Sequence, residues 1–257
     1  MILAAGLGTR LKPLTDTMPK ALVPVGGKPL LDIQIEKLKQ AGYDRFVVNV
    51  YHFAQQIIDH VNEREEHILI SDETAELLET GGGLKKAQAL FRDDEPILIH
   101  NVDILDNVDY DWFRRQHQDD EDAVLLVSRR KTKRYLLFDS AMRLMGWKNI
   151  ETGEVKSPFP WLREAEITID DDLKVTTLTS HLTPLTSQLY AFAFSGIHSF
   201  SPRLFPLMER FPDRFPIIDF YLSVCHRSRI VGLVKNDLQV LDVGKLDSLS
   251  AAEDFLR

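Results

Sequence analysis

Apolar residues along this chain recur in strand and helix spacing by turns, and later in strand spacing almost alone. Residues 2–5, Ile2-Leu3-Ala4-Ala5, form a short apolar strand. A helix is predicted over 30–41, where Leu31, Ile35 and Leu38 share one face and Gly42 supplies the stop. A strand over 45–50 follows, then a helix near 53–63 with Phe53, Ile57, Ile58 and Val61 on one side. A strand over 67–71, a helix over 83–91 and a strand over 96–100 complete the alternation. Strand, helix and strand in repetition imply right-handed crossovers, hence an α/β fold with a doubly wound, mixed but mainly parallel sheet. From about 135 to 194 the pattern changes to short β pieces at 135–138, 144–147, 167–169 and 190–194. They predict an antiparallel insertion over roughly 135–190, within a single domain that spans 1–257. Helices near 202–210 and 216–223, strands over 230–235 and 239–243, and a last helix from 245 return the chain to the core.

Open parallel sheets bind ligands beyond the carboxyl ends of their strands. Three segments fall there: 6–10, 79–83 and 101–103. The first is Gly6-Leu7-Gly8-Thr9-Arg10. Two glycines remove the Cβ atoms that keep a polyanion from backbone N–H groups and permit positive φ, so successive amides can aim at one cluster of oxygens. Arg10 and Lys20 add charge. A dinucleotide fingerprint would need a third glycine where Leu11 stands and an acidic residue ending the next strand, and neither is present. A Walker loop would close with Gly-Lys-Ser/Thr, which is also missing.

Composition narrows the partners. The chain has 257 residues and a net charge of −8, which argues against nucleic acid and leaves a small anion to be held by local cations. One cysteine, Cys225, excludes an intrachain disulfide and has no neighbour at zinc-ligand spacing. Neither a long apolar run nor a basic and hydrophobic leader is found, so a cytoplasmic location without membrane attachment is expected. Nothing in the sequence fixes an oligomeric state.

The string from Leu3 to Thr15, continued by Met18-Pro-Lys-Ala-Leu-Val-Pro-Val-Gly-Gly-Lys-Pro-Leu30, resembles the opening of the sugar-1-phosphate nucleotidyltransferases. The resemblance implies a nucleoside triphosphate and a sugar 1-phosphate as substrates, with Mg²⁺ as cofactor. It maps the nucleotide site onto Leu3, Ala4, Ala5, Gly6, Gly8, Thr9, Arg10 and Lys20. It also makes Asp103, after the fourth strand, and Asp242, in Val240-Leu-Asp-Val-Gly244, the metal ligands, and casts Arg10, Lys20, Asp103 and Asp242 as the catalytic set. Hard oxygen donors suit Mg²⁺. The segment Glu79-Thr80-Gly81-Gly82-Gly83 looks like the base-reading loop of the uridylyltransferase branch, its glycines offering free N–H groups, and Glu79 points to UTP as the favoured donor. Guanylyl transfer to a heptose or mannose 1-phosphate, cytidylyl transfer to a small phosphorylated alcohol, and a silent nucleotide-sensing subunit are the alternatives.

On the acceptor side Phe194-Ser195-Gly196-Ile197 is similar to the family's sugar-contacting segment, which assigns Ser195 and Gly196 to the sugar. The Glu-Lys-Pro element with which some members hold the sugar phosphate does not occur, leaving Lys131, Lys133 and Lys148 as candidates without a motif. The basic run 129–134 either draws in an anion or is a solvated face. Val102 stands where the family commonly has Gly and would narrow the site. His100 is expected to complete a strand, Trp112, Trp147 and Trp161 to anchor packing, and Asp106, Asp109 and Asp111 to form a solvated helix start.

Overall fold

The computed structural model describes residues 1–178 and 188–256. Strand alternation sorts the apolar residues into two cores, one on each face of the sheet. Ile2, Leu98, Val124 and Leu126 pack on one side with the helices Leu30–Gln40, Ala54–Asn62 and Tyr110–Arg114. Ile97, Ile99, Leu125 and Val127 pack on the other with Glu79–Lys86, Phe205–Met208 and Ile217–Val224. Each fully buried leucine or isoleucine contributes about 1.5–3 kcal/mol, so both faces must be covered for the sheet to persist.

Four strands run parallel in the order His67–Asp72, Arg45–Val50, Ile2–Leu3, Ile97–Asn101, with Ile2 level with both Val48 and His100. The twelve-residue strand Leu189–Phe200 then adds antiparallel, Ile197 opposite His100. Its second half joins the core and its first half pairs with Arg134–Phe138. The expected insertion is thus a continuation of the same sheet, through Leu144–Asn149 to Val155–Lys156. Of that insertion, residues 179–187 lie outside the described residues.

The expected elements recur with shifted boundaries, and several short ones were not anticipated, among them Ile104–Asp106, Lys174–Leu178 and Ala123–Ser128. Ala123–Ser128 pairs antiparallel with Leu189–Phe200 and parallel with Ile230–Val234. All six of its residues are buried, so it carries no apolar-polar alternation to mark it. The predicted helix over 83–91 begins earlier, at Glu79, and ends at Lys86.

The segment after the fourth strand is held by Asp106, whose side chain is fully buried. Lys37 Nζ and Tyr110 Oη donate to its carboxylate at 2.5 and 2.8 Å, His100 Nε2 lies 3.1 Å from it, and the Val108 amide donates at 2.8 Å. The expected solvated helix start is therefore wrong for Asp106, because its carboxylate collects partners from a helix, a strand and a loop. It holds for Asp109, which caps Tyr110–Arg114 by accepting from the Trp112 amide at 2.9 Å. Burial alone would raise the Asp106 pKa, but His100 and Lys37 outweigh it and hold the carboxyl down at about 2.

An acid whose folded pKa lies below its unfolded value stabilises the fold above the unfolded pKa and loses that contribution as pH falls through the folded one. The window here runs from the ordinary carboxyl value of 3.8 down to about 2. Asp106→Asn should lower stability at pH 7 by roughly 2–3 kcal/mol, and its deficit relative to wild type should shrink as pH falls through that window. Denaturant unfolding of both proteins at pH 7 and pH 2.5 tests this; a deficit independent of pH would show that Asp106 is not the acid-sensitive anchor.

Candidate active site

Residues leaving the carboxyl ends of the parallel strands enclose a cleft of about 390 Å³. Leu3, Ala5 and Gly6 border it from the first strand and its loop, Asn49 from the second, and Asn101, Val102 and Asp103 from the fourth. Glu79 and Thr80 enter from the helix start, Lys20 from a short 3-10 turn, and Pro216 from across the sheet.

A buried polar chain fixes the first-strand loop. The Ala4 amide donates to Asn49 Oδ1 at 2.7 Å, and Asn49 Nδ2 donates to Glu73 Oε1, also at 2.7 Å. Glu73 Oε2 accepts from the Leu78 amide at 3.1 Å. Burial raises the Glu73 pKa, with the Asn49 and Leu78 contacts opposing it. Gly83 makes this chain possible, because a Cβ there would stand 2.5 Å from Glu73 Oε1 and 3.0 Å from Asn49 Nδ2. Neither Asn49 nor Glu73 was anticipated from the sequence. The available signal was a polar residue inside the apolar strand Arg45–Val50 for Asn49, whereas Glu73 is hidden in the polar run 71–74.

The two loop glycines do different things. Gly8 is left-handed at φ +63°, and its carbonyl accepts from the Leu11 amide and from Thr15 Oγ1, both at 2.8 Å. Gly6 is not left-handed, so of the two only Gly8 uses the positive φ that glycine permits. A Cβ on Gly6 would meet no protein atom within 4 Å, so the space it leaves belongs to the cleft. Thr9 and Arg10 follow in an exposed 3-10 turn.

Lys20 is buried, and its Nζ pairs with Asp103 Oδ2 at the cleft floor. Arg10 and Asp242 face each other at 3.7 Å, both half-exposed and outside the cleft lining. They join the site through the backbone. Val240–Asp242 pairs antiparallel with Ile104–Asp106, and the Val243 amide donates to the Asp103 carbonyl at 2.8 Å. Gly244 lets this corner close, since a Cβ there would lie 2.5 Å from Asp242 Oδ1 and 2.7 Å from Arg10 Nη2. Val102 borders the cleft while remaining 3 % exposed within the core.

Gly81 and Gly82 do not present free N–H groups. Both amides donate to the Phe215 carbonyl, at 2.9 and 3.2 Å, because the glycines let Asp213–Phe215 backbone lie directly on the helix. Thr80 Oγ1 accepts from the Ile217 amide at 2.9 Å. Glu79 remains at the cleft in a left-handed conformation, φ +62°, its carboxylate 3.2 Å from Arg214 Nε. A non-glycine residue held there costs on the order of 1 kcal/mol and is found where surrounding contacts fix it.

The Ser195 hydroxyl donates to the Leu126 carbonyl at 2.7 Å and accepts from the Ile197 amide at 3.2 Å. That side chain is buried and shapes a strand irregularity between Phe194 and His198. Gly196, at φ +83°, sits where a Cβ would come 2.7 Å from Asn101 Nδ2, so it brings this strand against the cleft. Lys131 pairs with Asp171 at 3.8 Å and Lys133 with Glu151 at 2.6 Å, away from the cleft lining.

Among the described residues no three acidic, histidine or cysteine side chains converge as a complete metal cage. Asp242, at the end of one strand of the short ladder, and Asp103, just before the other, still fit a hard divalent cation that draws its other ligands from water and phosphate, as Mg²⁺ does.

With this geometry, a comparison with known proteins is decisive: residues 1–136 match the family model described as nucleotidyl transferase. The chain belongs to that family. Over 108 residues, 40% of its length, it is 47% identical to the N-acetylmuramate alpha-1-phosphate uridylyltransferase of Caulobacter vibrioides, and over 113 residues, 43% of its length, 42% identical to that of Neisseria meningitidis serogroup B. These matches span 44% and 48% of the two enzymes, so the chain covers less than half of either relative. Among solved structures, HddC from Yersinia pseudotuberculosis superposes with a TM-score of 0.64 over 100% of this chain and 98% of its own, at 22% identity, which shows the shared fold. No described helix is long and apolar enough to cross a membrane.

The glycines offer a two-sided test. Gly82→Ala would put a Cβ 2.0 Å from the Asp213 carbonyl oxygen and should destabilise by roughly 1–3 kcal/mol, seen as a lower denaturant midpoint. Gly6→Ala should leave that midpoint near wild type and weaken nucleoside triphosphate binding instead. Equal loss of stability in both would refute the assignment of the Gly6 space to ligand.

Proposed function

We propose that this chain transfers a uridylyl group from UTP to a sugar 1-phosphate, in a Mg²⁺-dependent reaction, with N-acetylmuramate α-1-phosphate as the leading acceptor. The observation that carries this reading is the Lys20–Asp103 pair on the floor of a cleft whose glycine loop leaves room for phosphate. The similarity to the two uridylyltransferases supports the choice of base and acceptor.

In the reaction an oxygen of the acceptor phosphate attacks the α-phosphorus of UTP. The bond from that phosphorus to the bridging oxygen of the β-phosphate breaks, and pyrophosphate leaves. The nucleophile is already anionic at neutral pH, since a phosphate's second pKa is about 6, so no side chain has to remove a proton. His100 fits this, being buried against Asp106. Asp103 and Asp242 would hold Mg²⁺, which when bound neutralises charge on the phosphates. Lys20 and Arg10, each set against one of these carboxylates, are positioned to meet the polyphosphate as charge develops on the leaving group. Glu79 and Thr80 border the end of the cleft assigned to the base. Cytoplasmic residence belongs to the same reading, since UTP is supplied there.

Pyrophosphate release should be measured with UTP, GTP, CTP and dTTP against several sugar 1-phosphates in the presence of Mg²⁺. UTP should be preferred, and Asp103→Asn and Asp242→Asn should each abolish most turnover; thermal unfolding should stay near wild type in Asp242→Asn, whose carboxylate is half-exposed, and fall in Asp103→Asn, which leaves buried Lys20 without its counter-charge. Turnover with GTP and none with UTP would reverse the base; wild-type rates in either variant would remove that residue from the metal site.

Arg10→Ala should lower turnover by roughly 10²- to 10³-fold with every acceptor, the usual loss when one preorganised donor to developing charge is removed. A defect confined to one acceptor would move Arg10 from the triphosphate to the sugar.

A further inference from the structure

Past Pro216, which lines both spaces, the cleft continues into a groove of about 530 Å³. Strand pairing builds its floor. Trp147 stands opposite both Leu136 and Lys156, and Asn149 opposite Arg134. Directly opposed residues share a face of the sheet, so these side chains form one continuous wall. Asp219, on the helix Ile217–Val224, closes the groove from the other side, its carboxylate 2.9 Å from Lys156 Nζ. Lys156 Nζ in turn lies 5.4 Å from the centre of the Trp147 ring. Trp147 is therefore more than the packing anchor expected from its isolation in the sequence.

Arg130 lines the groove, which meets the cleft at Pro216. One Nη of its guanidinium donates to the Phe194 carbonyl at 2.9 Å, just before the strand irregularity that Gly196 presses against Asn101. Its neighbours in the basic run are engaged elsewhere, Lys131 with Asp171 and Lys133 with Glu151, whereas Arg130 has no carboxylate ion-pair partner among the described residues. Partial burial lowers its pKa from the ordinary guanidinium value, and the Asp242 charge works against that shift, which places Arg130 within the field of the metal-binding corner.

Nucleotidyl transfer needs the acceptor's phosphate within about 3–3.5 Å of the α-phosphorus, so that phosphate must lie at this junction. A planar guanidinium with free donors matches a phosphate in two parallel hydrogen bonds. We propose that Arg130 holds the acceptor phosphate, while the wall carrying Trp147 and Asn149 seats the sugar ring. The inference rests on the nucleotidyl-transfer reading above. A groove of this volume suits a ligand of monosaccharide size.

The test uses Arg130→Ala, Arg130→Lys and Trp147→Phe in steady-state assays with UTP and Mg²⁺, and N-acetylmuramate α-1-phosphate or glucose 1-phosphate as acceptor. Arg130→Ala should raise acceptor KM and lower kcat, for a combined loss in kcat/KM of roughly 10- to 100-fold, the scale of a hydrogen bond to a charged group. KM for UTP should stay within about twofold of wild type, and Arg130→Lys should restore part of the loss because it keeps the charge without the fork. Trp147→Phe, which preserves an aromatic wall, should act on acceptor KM alone. Parallel changes in both KM values, or none, would overturn the assignment. Should the wild type release no pyrophosphate, the transfer reading fails, and calorimetric binding of the same two sugar phosphates still decides the groove. Weaker binding by Arg130→Ala and intermediate binding by Arg130→Lys, with unchanged thermal unfolding, would support it; equal affinities, or no binding by the wild type, would sink it.

Discussion

Two carboxylates from opposite halves of the chain share one corner because Val240–Asp242 pairs with Ile104–Asp106. The other features of the site depend on that short ladder. It carries Asp242 to Asp103 through the hydrogen bond from Val243 to the Asp103 carbonyl, and it faces Asp242 toward Arg10. Three residue pairs are too few to hold a two-stranded ribbon in water alone. Asp106 supplies what the ladder lacks, fastening one strand to the first helix through Lys37 and to the central sheet through His100. A charge buried with this many partners costs desolvation but fixes a single geometry. The same network explains why the acidic cluster after Asp103 is not a spare set of metal ligands.

A second constraint acts on the nucleotide side. The Asn49–Glu73 chain lies where a purely apolar core would have served stability as well, yet it ties the loop amide of Ala4, two neighbouring strands and the start of Glu79–Lys86 into one unit. Buried polar groups are tolerable only when satisfied, and here each main partner is within 3.1 Å. The left-handed Glu79 is a consequence. With Leu78 held by Glu73, and Gly81 and Gly82 held by Phe215, the residue between them has little freedom to relax. The glycines that seemed suited to touching a base instead let backbone touch backbone, and that contact aims Glu79 and Thr80 at the cleft.

Periodicity in the sequence was enough for the parallel core, because its helices are amphipathic and its strands end in turn residues. It failed at Ala123–Ser128, a strand buried on both faces, where alternation has no physical basis. Gly6, Lys20 and Asp103, singled out from the sequence, do border one cleft. Local spacing does not carry the contacts a residue makes with chain far away. Gly81 and Gly82 meet Phe215, Ser195 meets Leu126, and Asp106 meets Lys37, and none of these distances can be read from local spacing. Asn49 and Glu73 escaped notice for the same reason, since a polar residue in an apolar strand, or one acid in a polar run just past a strand, has no spacing signature until its partner is known.

Under the proposed transfer, a protein of net charge −8 would have to obtain its attraction for two polyanions locally. The two cations assigned to the triphosphate already face carboxylates. Lys20 is already paired with Asp103, and Arg10 faces Asp242. The paired state keeps each cation where phosphate will arrive and spares the fold an unbalanced buried ammonium at Lys20, whose cost would be several kcal/mol. On the proposed reading, a polyphosphate accompanied by its divalent ion could exchange these pairs for equivalent ones, with the carboxylates held for the metal and the cations for the phosphate oxygens. Affinity would then depend on matched geometry more than on net field, because a metal-free polyphosphate would meet two carboxylates with nothing to neutralise them. Discrimination between a loaded and an unloaded triphosphate would follow from how the four charges are arranged.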